Sequence, residues 1–218
     1  MLSTYILGDF KMRINEQGRS MIEMLGVLAI VGVLSVGGIA GYSKAMNKFK
    51  TNKLIDQINM LSTNIRTLYS SQRNYANLNN ALAIQTGIVP SEMYDPSSST
   101  STTITNAFGG LVQIQSAAIA SDNDGSYIIA VAGVPSASCI SVLTTDWGGD
   151  SGSGLLGMYA AADSDVDTTA GKLSGTSLEA SESLAVVGDT SFGLPYSVVN
   201  AHQACGSNKT VGIAWKYM

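Results

Sequence analysis

From Met24 to Tyr42 the chain reads MLGVLAIVGVLSVGGIAGY, without an ionisable side chain other than the closing tyrosine phenol. A run of about this length matches the roughly 20 residues a helix needs to cross the hydrocarbon core of a bilayer. Gly26, Gly32, Gly37, Gly38 and Gly41 fall inside it. Glycine weakens a helix in water but is common in membrane helices, where it lets backbones approach closely. A buried core helix and a cleaved secretory signal are the competing readings. Length disfavours the first. The second fails because the run exceeds the usual apolar region of roughly 7–15 residues and lacks a convincing small-x-small cleavage site.

The helical pattern continues beyond the run. Leu54, Ile58, Leu61, Ile65 and Leu68 recur at spacings of four and three, with Met46 and Phe49 continuing the stripe upstream and Tyr69 beside it. No proline interrupts residues 19 to 75. One helix of about 55 residues would be roughly 80 Å long at 1.5 Å per residue. The economical arrangement buries its second half against a following domain and leaves its first half for lipid, and later for other copies. The pair Gly37-Gly38 is where such a helix could kink. Lys44, Lys48, Lys50 and Lys53 follow the span while Lys11, Arg13 and Arg19 precede it, so the distribution of positive charge does not choose an orientation. These lysines read as a solvated helix face or a headgroup contact.

Composition narrows the function classes. The 218 residues carry a formal net charge of −4 and only 13% charged side chains. This excludes general phosphate binding, which needs a basic footprint, and intrinsic disorder, which needs few apolar residues and much like charge. One histidine, His202, and two distant cysteines make a dedicated zinc site improbable. His202 also lacks a nucleophile motif such as GxSxG, so no enzyme is expected and no cofactor is expected. Asp122-Asn123-Asp124-Gly125 and Asp163-Ser164-Asp165-Val166-Asp167 place oxygens at loop-site spacings. The EF-hand pattern nevertheless fails, since Thr168 takes the glycine position and Ser174 the glutamate position. Solvated turns are expected at both, and no metal. Cys139 and Cys205 lie about 65 residues apart, too far for a local redox motif; they are either two buried thiols or one disulfide worth about 4 kcal/mol on the loop-entropy model.

What precedes the apolar run is the most specific signal. Residues 1–18 close at Gly18, and Arg19-Ser20-Met21-Ile22-Glu23 lead into Met24-Leu25. Glu23 is thus an acid at the mouth of an apolar helix. An isolated carboxylate inside the membrane costs at least about 2.5–3.5 kcal/mol, so it needs the interface or a partner. This segment resembles the class III signal peptide of type IV pilins and related pseudopilins. The resemblance implies that a prepilin peptidase cuts after Gly18, that Arg19 becomes the first mature residue and that Glu23 is the fifth. Arg19 stands where that family usually carries Phe or Met. Cleavage would create an α-amino group at Arg19, and Glu23 of one subunit could meet that amine, or the Arg19 guanidinium, of a neighbour. A charge-assisted hydrogen bond of this kind offsets desolvation and fixes axial register. The alternative is a carboxylate interacting with the helix dipole or with headgroups.

The rest of the chain predicts an α+β domain. Residues 77–90 give a loop and a small helix, and the polar tract SSSTSTT after Asp95-Pro96 reads as an exposed loop. Asn106-Ala107-Phe108-Gly109-Gly110 is a turn opening the strand LVQIQSA, in which Val112 and Ile114 alternate with Gln113 and Gln115. Asp122-Asn123-Asp124-Gly125 is expected to turn into the strand SYIIAVAGV. Pro135-Ser136-Ala137 opens a helix carrying Cys139, Ile140 and Leu143, residues 147–187 suggest short strands and loops, residues 194–204 a short helix, and residues 210–217 a strand alternating Val211, Ile213 and Trp215. The NAFGG turn, the VPSASC segment and an Ala-Cys followed by a final aromatic strand look like the type IVb subclass. That resemblance implies a Cys139–Cys205 disulfide enclosing a variable surface region, a cytoplasmic N-terminus and an external C-terminal domain. The expected division is a leader over 1–18, a transmembrane and assembly helix over 19–43, its amphipathic continuation over 44–76, and a head over 77–218 with a long helix against an antiparallel sheet. The expected function is a structural subunit of a filament, made as an inner-membrane precursor, with the prepilin peptidase, the assembly machinery and copies of itself as partners. A pseudopilin or minor pilin, or a non-polymerising envelope protein, are the alternatives.

Overall fold

The computed structural model describes residues 21–97, 102–119, 122–148, 153–162, 185–186, 194–206 and 209–218. Met21–Tyr69 form one helix, α1, of 49 residues. Its continuity follows from the absence of proline, and it ends at Tyr69 rather than running to residue 76. The following segment is rich in Ser and Asn, whose side chains compete for backbone groups. Ser70 Oγ donates to the Thr67 carbonyl at 2.8 Å, the Gln72 N–H takes the Tyr69 carbonyl at 2.8 Å, and Asn77 adopts a φ of 64°, a left-handed conformation that Asn tolerates better than most residues.

The chain divides into two compact units between Ala45 and Met46. In the first, every described residue, from Met21 to Ala45, is exposed, as befits a helix apolar on all sides with no partner in water.

The second unit holds the remaining elements. Asn79 caps α2, Asn80–Gln85, by accepting the Leu82 N–H. A single 3-10 turn, Ser91–Met93, leads to β1, Ile104–Thr105, and β2, Leu111–Ile119. After β3, Asp122–Pro135, comes α3, Ser136–Leu143; then β4, Leu155–Ala162, β5, Ala185–Val186, α4, Val198–Cys205, and β6, Thr210–Tyr217. Among the described residues the strands form one antiparallel sheet in the order β1-β2-β3-β6-β4-β5. The last strand in sequence is therefore inserted between β3 and β4.

Two expectations are corrected by this arrangement. Asp122 to Gly125 belong to β3 rather than to a turn, because Ile119 pairs directly with Asp122 and the ladder is irregular between Ala117 and Ile119. The Asp122 carboxylate accepts the Asp124 N–H at 3.0 Å, an Asx contact compatible with an irregular strand end. β6 is read from the sequence as alternating, but Val211 through Tyr217 are all buried: Val211, Ile213, Trp215 and Tyr217 lie in the core, while on the other face Ala214 packs with Ile128 and Ala130 of the neighbouring strand and Lys216 Nζ donates to the Ala118 carbonyl. The Asp163–Asp167 cluster and part of the SSSTSTT tract lie outside the described residues.

The core lies between the second half of α1 and one face of the sheet. Leu54, Ile58, Leu61 and Ile65 are fully buried against Val112, Ile114, Ile129, Val131, Ile213 and Trp215. Burying such side chains contributes roughly 1.5–3 kcal/mol each. The stripe is shorter than its sequence pattern: Phe49 and Leu68 at its two ends are exposed.

Candidate assembly surface

The first turn of α1 carries Glu23, exposed at the start of the helix. Gly18 and Arg19 lie outside the described residues. From Met21 onward the exposed surface is built of Met21, Ile22, Met24, Leu25, Val27, Leu28, Ile30 and their successors through Ile39 and Tyr42. A Cβ placed at Gly26, Gly32, Gly37, Gly38 or Gly41 would meet nothing. These glycines are not required by packing inside one copy, which leaves their role to whatever surrounds the helix. The segment is long and apolar enough to cross a membrane. An exposed apolar area this continuous is unstable in water and marks contact with lipid or protein.

In the second unit polar side chains set into the buried stripe fix α1 to the rest. Gln57 sits among Leu54, Ile58 and Leu61 and is itself buried. Its Nε2 donates to Glu92 Oε1 at 3.2 Å, and its Oε1 accepts the Ala107 N–H at 3.0 Å. Lys53 completes the group with a 3.1 Å ion pair to Glu92. The Gln57 hydrogen bond and then the Lys53 ammonium hold the Glu92 carboxyl below its ordinary range. This contact clips the 3-10 turn and the Asn106–Gly110 turn to the helix. Sequence reasoning missed it, although a glutamine inside an aliphatic stripe was a visible signal of a buried polar partner.

Ser62 does the same for the sheet. Its Oγ and the Tyr127 hydroxyl share a hydrogen bond of 2.9 Å. Tyr127 lies in a chain of rings, Tyr69 to Tyr75 to Tyr127 to Tyr217, with centroid distances of 5.2, 4.7 and 5.4 Å. Burial pushes the phenols of Tyr127 and Tyr217 up, well beyond the usual tyrosine range. Arg66 Nη1 donates to the Ser153 carbonyl at 2.6 Å, tying the end of α1 to the approach to β4.

Cys139 on α3 and Cys205 on α4 form a disulfide with Cα atoms 6.0 Å apart. Tyr196 reinforces the same corner, its hydroxyl donating to the Met158 carbonyl at 3.2 Å and its N–H to the Leu143 carbonyl at 3.3 Å. His202 is exposed on α4. Among the described residues no group of three or more His, Cys, Asp or Glu could hold a metal ion.

A protein-family model, PilS N terminal, matches residues 48–191, more than half of the chain. The major structural subunits of bundle-forming pilus from Escherichia coli O127:H6 (strain E2348/69 / EPEC) and O111:H- are each 28% identical to the chain over 134 residues, 61% of this chain and 66% of theirs. The chain thus spans just under two thirds of the length of these relatives. Among solved structures, TcpA, a type IV pilin from Vibrio cholerae El Tor biotype, is similar with a TM-score of 0.49 and 18% identity over 78% of this chain and 99% of that one. A type IV b pilin from Salmonella typhi has a TM-score of 0.46 and 20% identity over 76% of this chain and 97% of that one. The family match reaches from the second half of α1 to beyond β5, more than half of the chain: the chain belongs to the PilS N-terminal family.

Proposed function

We propose that the chain is a structural pilin subunit that polymerises into a type IV pilus-like filament through its apolar N-terminal helix. The observation that carries the reading is the wholly exposed apolar helix from Met21 to Ala45, with one acid, Glu23, in its first turn, on a chain of this family. Before assembly the helix rests in the inner membrane. Prepilin peptidase then cuts after Gly18, and the assembly machinery transfers the helix from lipid into a bundle of identical helices. The transfer is tolerable because the apolar surface passes from one apolar surrounding to another rather than into water. In the bundle Glu23 meets the α-amine, or the Arg19 side chain, of a neighbouring copy and sets the axial register. No catalytic group takes part, and the head carried by the second unit forms the filament surface.

Two measurements test the reading together. Mass spectrometry of the mature chain is expected to find an N-terminus at Arg19. Shearing of cells is expected to release filaments containing the chain. A product that keeps residues 1–18 and never leaves the envelope would overturn the proposal.

A further inference from the structure

β2 has a long edge and little strand to cover it. On the side away from β3, β1 pairs only with Leu111 and Val112, and among the described residues no other strand lies beyond β1 in the sheet. Such an edge is usually guarded by charged side chains or proline. Residues 97–121, which include β1 and β2, hold neither a charged side chain nor a proline. β2 itself reads LVQIQSAAI, a neutral, apolar-rich composition that pairs readily with other chains.

Three consecutive residues fill the edge instead. Asn80 is buried, and its carboxamide offers the donor and acceptor that a peptide group would. Its Oδ1 accepts the Ile114 N–H at 2.7 Å and its Nδ2 donates to the Val112 carbonyl at 2.9 Å, with longer contacts to the Thr102 carbonyl at 3.2 Å and Gln113 Oε1 at 3.4 Å. Asn79 forms an isolated antiparallel bridge with Gln115 while its side chain caps α2. The Leu78 carbonyl accepts the Ser116 N–H at 3.1 Å, and the Leu78 side chain anchors the segment in the core. We infer that residues 78–80 are an autoinhibitory strap: they occupy a strand-pairing edge on β2 whose partner, once the strap is lost, is the β2 edge of a second copy. Two such neutral edges meet antiparallel without like charges facing each other. The device acts within the head and holds whether or not the chain forms filaments.

The test uses the full chain in detergent micelles, natural and as Asn80→Ala. Successive amides of a strand point to opposite edges, so the N–H groups of Gln113 and Gln115 face β3 and serve as internal controls. Amide hydrogen exchange read by nuclear magnetic resonance should be about tenfold faster at Ile114 and Ser116 in the variant, the scale of one lost hydrogen bond, and unchanged at Gln113 and Gln115. Sedimentation equilibrium should show self-association about tenfold tighter than that of the natural chain, the same scale; association through the apolar helix is common to both and cancels in the ratio. Adding Gln115→Lys should return association to the natural level and leave exchange at Ile114 fast, because a charge on an edge strand repels a second copy without refilling the edge. The natural chain gives the contrast without substitution: urea below the unfolding transition should leave exchange at Ile114 and Ser116 nearly constant and accelerate it at Gln113 and Gln115, since the strap opens locally. Unchanged exchange at Ile114 and Ser116 in the variant, an equal rise at all four amides, or four equal responses to urea would overturn the strap. Faster exchange with no gain in association, or association that Gln115→Lys leaves in place, would overturn the second copy as its partner.

Discussion

Ser62 and Tyr127 join at the point where α1 meets the middle of the sheet, and their hydrogen bond is buried. Tyr127 must stay neutral there, and so must Tyr217, stacked 5.4 Å away. Burial raises both phenols above the usual value, whereas in the unfolded chain they lose their protons near pH 10. The stability this provides is complete below about pH 10 and is lost as pH rises toward the folded-state values. The urea midpoint is therefore expected to be level from about pH 8 to 9 and to fall from about pH 10 upward, and Tyr127→Phe should flatten that fall at a cost of about 1 kcal/mol at neutral pH. A midpoint level through about pH 11.5 would refute the assignment. Within α1, Ile58→Ala opens a fully buried site and should lose about 2–5 kcal/mol. Met60→Ala, half exposed two residues later, should stay within about 0.5 kcal/mol. Equal effects in denaturant titrations would mean that the buried face of the helix has been misassigned.

Between elements, the fold depends on a few close approaches. Gly110, at the start of β2, faces β3, where an added Cβ would run into the Ala132 carbonyl and come within 3.1 Å of Asn106 Nδ2. Asn106 is the hub of that turn, its Nδ2 donating to the Ala132 carbonyl at 2.8 Å and its Oδ1 accepting the Phe108 and Gly110 N–H groups. Gly110→Ala should lower stability by about 2–3 kcal/mol, the scale of a buried steric conflict combined with a broken hydrogen-bond network, and a thermal midpoint equal to that of the natural chain would contradict the contact. The Cys139–Cys205 bridge joins α3 to α4, which flank the long excursion through β4 and β5. Reduction should cost about 2–5 kcal/mol, seen as faster proteolysis of the head with reductant present. Identical digestion rates in both conditions would show that Tyr196 and the core hold this corner without the bridge.

At the scale of the molecule, the consequence lies in assembly. Glu23→Ala is expected to leave membrane insertion and cleavage after Gly18 intact and to abolish or misregister filaments, because the neighbour's amine would then enter an apolar bundle without a counter-charge. Sheared preparations viewed by electron microscopy check this, and filaments of normal yield and repeat would remove the register role. The sequence by itself determined the apolar span, the acid at its mouth, the 3.6-residue stripe from Leu54 to Ile65 and the α+β class, because each is a local pattern whose period or length has one physical reading. The tertiary structure alone decided that β6 enters the middle of the sheet and is buried on both faces. It also decided that Asp122 to Gly125 continue a strand, and that Gln57, Ser62 and Arg66 clip α1 to two turns, a central strand and the approach to β4, all far away in the chain. Strand order, register and the partners of a buried polar side chain follow from contacts between residues distant in sequence, and local propensity carries no record of those contacts.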